Sequence, residues 1–181
     1  MRFDPLDIEG AFLVAPEPAV DGRGSFARVF CKTEFEAMNL RSEFTQASTS
    51  FSTLEGTIRG MHYSVGEHAE TKLVRCTAGA VHDVMVDIRP GSPSFGRTIA
   101  FTLSSANRLA LYVPAGVAHG FQTLSPGAEV LYLIDKPYAP QAGRGFRWND
   151  AAVATIWPRP VTVISERDRT YPDLRLAAEA V

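Results

Sequence analysis

The chain has 181 residues, of which 45% are hydrophobic and 21% are charged, and its formal net charge is -2. These values are typical of soluble globular proteins, and no segment approaches the roughly 20 apolar residues of a membrane helix, so we expect neither disorder nor a membrane partner. The small net charge gives no overall attraction for nucleic acid. Because a core of this size can bury about 70% of the unfolded chain's surface, we expect one domain spanning 1–181.

The cysteines and the first residues predict the cellular compartment. The sequence contains two cysteines, Cys31 and Cys76, each beside apolar residues, and its first five residues lack the apolar core of a secretory signal. This usage is typical of a reduced, intracellular protein. We therefore expect a cytoplasmic location.

The first forty residues predict two short strands and one helix. Residues 10–16 form an apolar run that ends at a proline, and residues 25–30 alternate apolar with small or polar side chains. Between them lies a loop that presents Arg23 between two glycines. Residues 33–40 have the pattern of a helix, with Thr33 as the N-cap and Glu36 completing a capping box.

The rest of the chain predicts mostly strands. Short strand-like segments follow one another at intervals of about 8–12 residues, without helical spacers. They are residues 44–51, 56–63, 72–78, 80–88, 97–103, 108–113, 118–124 and 128–135, followed by 160–164 and a possible last helix near 171–180. This order favours an all-β fold, a jelly roll with an interior cavity and short peripheral helices.

One segment concentrates side chains that are able to carry chemistry. Arg59, His62 and Lys72 lie within 14 residues, flanked by apolar runs, so we expect all three to enter one shared cavity. Strand alternation predicts that Ile58, Gly60 and His62 share a face. A satisfied core histidine and an exposed lysine are the alternatives for His62 and Lys72.

Two further residues extend this set. His119 stands between small residues at the start of a strand, where a ligand can approach closely, and Tyr132 is a strand tyrosine that is able to donate a proton if its hydroxyl faces the cavity. A histidine base, a cation for an enolate oxygen and a phenol suit proton abstraction beside a carbonyl group. Arg23 and Arg59 suit a diphosphate, with surface ion pairs as the alternative.

A metal-dependent enzyme of the same fold is a competing hypothesis. Its ligand set would comprise His62, Glu67, His68 and His119, which are residue types that bind transition metals. The usual His-x-His pair is absent, because Ser64 occupies the second position. A silent sugar-nucleotide binding module is a further alternative.

Taken together, several motifs resemble the nucleotide-diphosphate 4-keto-6-deoxysugar epimerases, typified by dTDP-4-dehydrorhamnose 3,5-epimerase. The matching stretches are RGMHY at 59–63, KLVRC at 72–76, DVMVDIRPGSPSFG at 83–96, VPAGVAHGF at 113–121, WND at 148–150, IWP at 156–158 and ISERD at 164–168. They occur in the right order over nearly the whole chain. The resemblance implies a cupin jelly roll that works as a homodimer without metal or cofactor on a nucleotide-diphosphate sugar, with an arginine and a strand of one subunit reaching the other's site.

The resemblance also implies residue roles. His62 looks like the base, Asp168 like the carboxylate that orients it, Lys72 like the enolate-stabilising cation and Tyr132 like the acid on the opposite face of the sugar. The expected substrate-binding residues are Arg23 and Arg59 at the diphosphate, Phe26 and Gln46 near the nucleoside, and His119 and Tyr138 near the sugar.

Three positions depart from the family pattern. The family usually has glutamate, asparagine and glutamine where this chain has Arg28, Ser48 and Ser64. These positions are expected near the nucleotide or the sugar and outside the proton-transfer set. They leave open another nucleotide sugar or a heptose as substrate, and inversion at carbon 3 or carbon 5 alone.

Overall fold

A computed structural model describes residues 1–151 and 157–174. Strands are the predominant regular structure in this part of the chain. The strands are β1 (Arg2–Pro5), β2 (Phe12–Ala15), β3 (Ala19–Asp21), β4 (Gly24–Phe26), β5 (Gln46–Ser52), β6 (Thr57–Ser64), β7 (Lys72–Ala78), β8 (Ala80–Asp87), β9 (Thr98–Ser104), β10 (Ala110–Val113), β11 (Val117–Thr123), β12 (Ala128–Ile134), β13 (Gly143–Gly145) and β14 (Val163–Ile164). The helices are α1 (Lys32–Ala37) and α2 (Glu166–Thr170), with single 3-10 turns at Gly66–His68 and Pro140–Ala142.

The strands form two facing sheets and a separate hairpin. The first sheet has the order β1-β2-β10-β7-β12-β5, and the second has the order β13-β6-β11-β8-β9, with β14 added beside β6. Neighbouring strands are antiparallel, except that β14 runs parallel to β6. The hairpin pairs β3 with β4. This arrangement confirms the predicted all-β jelly roll.

The main core lies between the two sheets. Alternate residues of both sheets point inward and form one apolar cluster, which includes Val74 and Val130 from the first sheet and Met85 and Phe121 from the second. Residues of the opposite parity pack outside, where Phe35 of α1 covers the first sheet. In one region between the sheets, the inward-facing side chains are polar instead of apolar. The candidate site lies in this region.

Several element predictions need correction. Helix α1 begins at Lys32, its N-cap is Cys31, and no side chain caps it, so the predicted Thr33 cap is wrong. The predicted strand 25–30 ends at Phe26, since the chain then turns toward α1. Residues 171–174 are not helical, and the remainder of the predicted last helix lies outside the described residues.

Helix α2 was not predicted. The serine before it accepts a hydrogen bond from the backbone amide of Asp168 at 3.1 Å. This Ser-x-x-Asp spacing is a helix-start signal that the sequence carries. Among the described residues, no helix is long and apolar enough to cross a membrane.

Candidate active site

The candidate site is a cavity with an inner and an outer part. The inner cavity, about 210 Å³, lies between the sheets and is lined by Ser48, Thr49, Arg59, His62, Lys72, His119, Phe121, Tyr132 and Ile134. The outer cavity, about 450 Å³, extends toward β14 and α2 and adds Thr57, Ile58, Val163, Ile164, Ser165, Arg167 and Asp168. Arg59, His62 and Tyr132 line both parts, so the two form one continuous candidate site.

A β-bulge in β6 aims two of these side chains at the cavity. His62 pairs with His119 while Arg59 pairs with Phe121, so three residues of β6 span the length of two on β11. An extra residue of this kind shifts side-chain parity. Arg59 and His62 therefore face the cavity together, and the predicted shared face of Ile58, Gly60 and His62 is wrong.

Two glycines make the bulge possible. Gly60 has a φ of 126°, and a Cβ there would lie 2.6 Å from the Cα of Gly120. A Cβ on Gly120 would lie 2.9 Å from the carbonyl oxygen of Arg59. Only glycine at both positions lets the two backbones approach this closely.

The bulge also ties His62 to Asp168. The Nε2 atom of His62 lies 2.7 Å from Oδ1 of Asp168, and the Gly60 amide donates to Oδ2 of the same carboxylate at 3.2 Å. Burial opposes ionisation of Asp168, but hydrogen bonds from His62, Gly60 and Ser165 outweigh it and hold the pKa of Asp168 below its ordinary value. An ionised carboxylate only accepts hydrogen bonds, so Nε2 of His62 carries the proton and Nδ1 has the free lone pair.

Lys72 stands in the inner cavity with a carboxylate beside it. Its Nζ atom lies 3.1 Å from Oε1 of Glu70, and the two side chains are 10% and 19% exposed. A buried ammonium with one nearby carboxylate can still offer hydrogens to a ligand oxygen. This placement fits the predicted role of Lys72 better than the alternative of an exposed lysine.

Tyr132 reaches the cavity from β12. It shares the inward parity with Val130 and Ile134, as the alternation predicted. Burial raises the pKa of Tyr132 well above its ordinary value, the charge of Asp83 raises it further, and Arg59 opposes the shift. The phenol therefore stays protonated at neutral pH and can donate a proton.

His119 is paired differently from His62. Its Nε2 atom lies 2.8 Å from Oδ1 of Asp83, and both residues are buried. The His119 ring meets the Tyr132 ring edge to face, with centroids 6.1 Å apart. The other oxygen of Asp83, Oδ2, is buried and has no hydrogen-bond partner among the described residues.

Arg59 is held at the edge of the cavity by the neighbouring strand β5. Its Nε atom donates to Ser52 Oγ at 3.2 Å, and its Nη2 atom donates to the Phe51 carbonyl at 2.9 Å. These bonds fix the guanidinium while leaving donors free for a ligand. Within residues 1–151 and 157–174, the side-chain contacts of Arg59 are these two oxygens and no carboxylate, which disfavours the alternative of a surface ion pair.

Four predicted binding residues do not line the cavity of their own chain. Arg23 and Phe26 lie on the exposed hairpin β3–β4, where Arg23 pairs with Asp21 at 2.6 Å and Phe26 is 80% exposed. Gln46 begins β5 on the parity of Ser48, but its side chain donates to the Lys136 carbonyl. Tyr138 is also exposed.

The three departures from the family pattern are spread apart. Ser48 lines the inner cavity. Arg28 is outside it and pairs with Glu34 at 3.0 Å. Ser64 ends β6, where it pairs with Gly143 and is not among the lining residues. Of the three positions, Ser48 is the one that the fold of a single chain brings to the site.

The alternative metal ligand set is not assembled. Within residues 1–151 and 157–174, no three His, Cys, Asp or Glu side chains lie close enough together to hold a metal ion. His68 instead lies 3.8 Å from its neighbour Glu67.

Several site residues were not predicted. They are Asp83, Glu70, Ser165, Arg167 and Tyr171, whose ring lies edge to face with His62 at 6.0 Å. The sequence could have indicated Asp83, because it lies on the same inward face of β8 as the apolar residues Val81 and Met85. The others come to the site through tertiary contacts between segments that are distant in sequence.

Comparison with known proteins connects this geometry to a family. The sequence profile of a family described as dTDP-4-dehydrorhamnose 3,5-epimerase matches residues 5–175. The epimerase of that name from Sinorhizobium fredii (strain NBRC 101917 / NGR234) is 40% identical over 175 residues, covering 96% of this chain and 90% of the relative.

Solved structures agree with the sequence match. The dTDP-4-dehydrorhamnose 3,5-epimerase of Bacillus anthracis, with TDP and PPi bound, superposes with a TM-score of 0.92 at 36% identity, covering 96% of this chain and 99% of that one. The 3'-monoepimerase ChmJ of Streptomyces bikiniensis, in complex with dTDP-quinovose, has a TM-score of 0.87 at 31% identity and covers 93% and 85%. The chain therefore belongs to the dTDP-4-dehydrorhamnose 3,5-epimerase family and is an isomerase.

Proposed function

We propose that the protein epimerises a dTDP-4-keto-6-deoxyhexose, with His62 as the base and Tyr132 as the acid. The observation that carries the proposal is the 2.7 Å contact of His62 Nε2 with Asp168, in a cavity that His62 shares with Lys72 and Tyr132. This contact leaves Nδ1 of His62 to act as the base. The activities and bound ligands of the relatives support the substrate class.

The proposed reaction begins with removal of a proton. Nδ1 of His62 takes the proton from a carbon beside the carbon-4 ketone, and the C–H electron pair moves to the ketone oxygen as an enolate. The ammonium of Lys72 stabilises that oxygen, and Asp168 stabilises the imidazolium that forms. The enolate then collapses and takes the Tyr132 hydroxyl proton on its opposite face, which inverts the carbon. Solvent restores the proton on Tyr132 and removes the one on His62.

The two parts of the cavity suggest how the substrate lies. The inner cavity holds His62, Lys72 and Tyr132 and is large enough for a hexose ring, while the outer cavity opens beside Arg59. We place the sugar in the inner cavity and the diphosphate near Arg59, whose guanidinium can bind phosphate oxygens in a bidentate manner.

Solvent isotope exchange tests the reaction. The protein is incubated with dTDP-4-keto-6-deoxyglucose in deuterated water, and the sugar is analysed by NMR and mass spectrometry. We expect deuterium at carbon 3, carbon 5 or both, which also separates a 3,5-epimerase from a monoepimerase such as ChmJ. No incorporation with any nucleotide form of this sugar would overturn the proposal.

We further propose that the enzyme is a homodimer whose sites are completed across the interface. The hairpin β3–β4 supports this, because Arg23 and Phe26 are exposed and lie away from their own cavity. The hairpin exposes two large apolar side chains, Val20 at 75% and Phe26 at 80%, and grouped exposed apolar side chains are found at protein–protein interfaces. In this arrangement, the hairpin of one subunit supplies Arg23 and Phe26 to the nucleotide bound by the other.

Subunit complementation tests the shared site. One chain carries His62→Asn with an intact hairpin, and the other carries Arg23→Ala with an intact His62. Each variant alone should be nearly inactive, while mixing and subunit exchange should restore activity, because one site in the mixed dimer has both residues. Light scattering checks the mass of each sample. A monomer, or no recovery in a proven mixed dimer, would contradict the shared site.

A cytoplasmic location is proposed as well. It is supported by the cysteines, both of which are free in the structure. Cell fractionation followed by immunoblotting of the native protein would test it.

A further inference from the structure

Helix α2 and the residue that follows it both contact His62. Asp168, within the helix, binds Nε2 of the imidazole at 2.7 Å. Tyr171, directly after the helix, places its ring edge to face with the imidazole, at a centroid distance of 6.0 Å and an interplanar angle of 68°. The carboxylate therefore contacts one atom of the imidazole, and the tyrosine ring lies beside the imidazole plane.

Tyr171 is itself held firmly. The Nε atom of Arg167 donates to its hydroxyl at 2.5 Å, and the guanidinium carbon lies 5.5 Å from the centre of its ring. Its other side lies against Gly145, where a Cβ would come within 2.4 Å of the tyrosine ring. Gly145 is the register partner of His62, so β13, Tyr171 and the imidazole pack side by side.

The backbone after Tyr171 is also anchored. The amide of Arg147 donates to the carbonyl of Pro172 at 3.1 Å, and the amide of Leu174 donates to Asp150 at 2.6 Å. The Tyr171 ring thus contacts Arg167 and Gly145, and the backbone that follows it is hydrogen-bonded on to the rest of the fold. A rigid neighbour of this kind can hold the orientation of a catalytic group.

We propose that Tyr171 is a positioning residue that fixes the imidazole plane of His62, so that Nδ1 stays aimed into the inner cavity. This inference rests on the proposed function, in which His62 is the base. Tyr171 does not line either part of the cavity, and its hydroxyl is occupied by Arg167, so it acts through His62 and not on the substrate.

Two substitutions separate the ring of Tyr171 from its hydroxyl. Tyr171→Leu removes the aromatic wall and frees the imidazole, and a small displacement of a reacting group can cost up to about 100-fold in rate. We expect kcat to fall roughly 10- to 100-fold with KM changed less than about threefold, because ground-state binding is untouched. Tyr171→Phe keeps the ring and should retain kcat within about threefold.

A matched control and a spectroscopic measurement complete the test. Tyr63→Leu removes the tyrosine that follows His62 in β6 and packs on the outer face of the sheet, and it should leave kcat unchanged at temperatures where the protein is folded. Nitrogen-15 NMR of the His62 ring should show one sharp Nε2-protonated tautomer in the wild type and in Tyr171→Phe. In Tyr171→Leu the same signals should be broadened by ring motion.

The outcomes distinguish this inference from the proposed function. Folded Tyr171→Leu with wild-type kcat, or with a raised KM and unchanged kcat, would overturn the positioning role. If Tyr171→Leu does not fold, unaltered His62 signals and kcat in Arg167→Gln, compared with Arg169→Gln on the same helix, would equally overturn it. Retention of deuterium exchange by His62→Asn would instead overturn the proposed function.

Discussion

Two histidine–aspartate pairs among the described residues differ mainly in the burial of the histidine. His62–Asp168 and His119–Asp83 have nearly equal contacts, 2.7 Å and 2.8 Å from Nε2 to the carboxylate. The side chain of His62 is 39% exposed and that of His119 is 4% exposed. The pair at the cavity edge can exchange protons with solvent between turnovers, whereas the inner pair is closed off from it.

The surroundings of the two carboxylates differ as well. Asp168 receives hydrogen bonds at both oxygens, from His62 and the Gly60 amide, while Oδ2 of Asp83 has no partner among the described residues. A buried carboxylate oxygen without a donor is costly to stability. We infer that the outer pair, His62–Asp168, abstracts the substrate proton. The inner pair, His119–Asp83, acts through its negative charge and by holding the Tyr132 ring in place.

The largest effect is expected when the two histidines are substituted in separate variants. His62→Asn should lower the rate of epimerisation by about 10²–10⁴-fold, the usual contribution of a general base, with little change in melting temperature. His119→Asn should lower the melting temperature measurably, because it leaves the Asp83 carboxylate buried and unpaired. Steady-state kinetics and thermal melts of both variants give the comparison.

One pattern of results would contradict this division of roles between the two histidine–aspartate pairs. If His119→Asn were as stable as the wild type and lost activity as severely as His62→Asn, the inner histidine would be a proton-transfer group too.

Tyr132→Phe tests the proposed acid, whose ring packs against His119 of the inner pair. Loss of the hydroxyl should suppress net inversion by about 10²–10⁴-fold while the His62-dependent exchange of the substrate proton with solvent persists at a higher rate. NMR in deuterated water measures exchange and inversion in the same sample. Equal loss of both would indicate a structural role for Tyr132.

Asp83→Asn measures what the inner charge contributes. The asparagine can still accept from His119 but loses the charge, so we expect destabilisation of about 1–3 kcal/mol in chemical denaturation. The pKa of Tyr132 should fall, because the negative charge of Asp83 raises it in the wild type. Ultraviolet difference titration of the variant and the wild type, each compared with its Tyr132→Phe counterpart, isolates this tyrosine. An unchanged or raised pKa would contradict an electrostatic role for Asp83.

Much of this site was predictable from sequence because its polar residues interrupt apolar strands. His62, Lys72, His119 and Tyr132 each stand in a strand pattern, and the structure brings all four to one cavity. Their motifs also resembled the family to which the chain belongs. Simple alternation nevertheless assigned the wrong face around Gly60, because a bulge is an exception to the period of two.

The remaining residues depend on contacts that one sequence does not reveal. Tyr171 reaches His62 only because β13 and α2 both pack beside β6, and Asp83 needs the register of β8 against β11 to meet His119. Arg23 and Phe26 do not line the cavity of their own chain, so their predicted role depends on the proposed second subunit.

The smallest expected effect is the pH dependence of the outer pair. The pKa of Asp168 is lowered in the folded protein, so the stabilisation it provides is complete above the ordinary aspartate value of about 4 and is lost as pH falls through the lower folded value. Asp168→Asn should therefore reduce the free energy of unfolding by about 1 kcal/mol at neutral pH, a modest figure because solvent screens the partly exposed His62. The difference from the wild type should shrink as pH falls below about 4, because Asp168 then takes up a proton. Denaturation curves across this range measure it, and a difference that does not shrink there would show that the folded protein does not stabilise the ionised carboxylate.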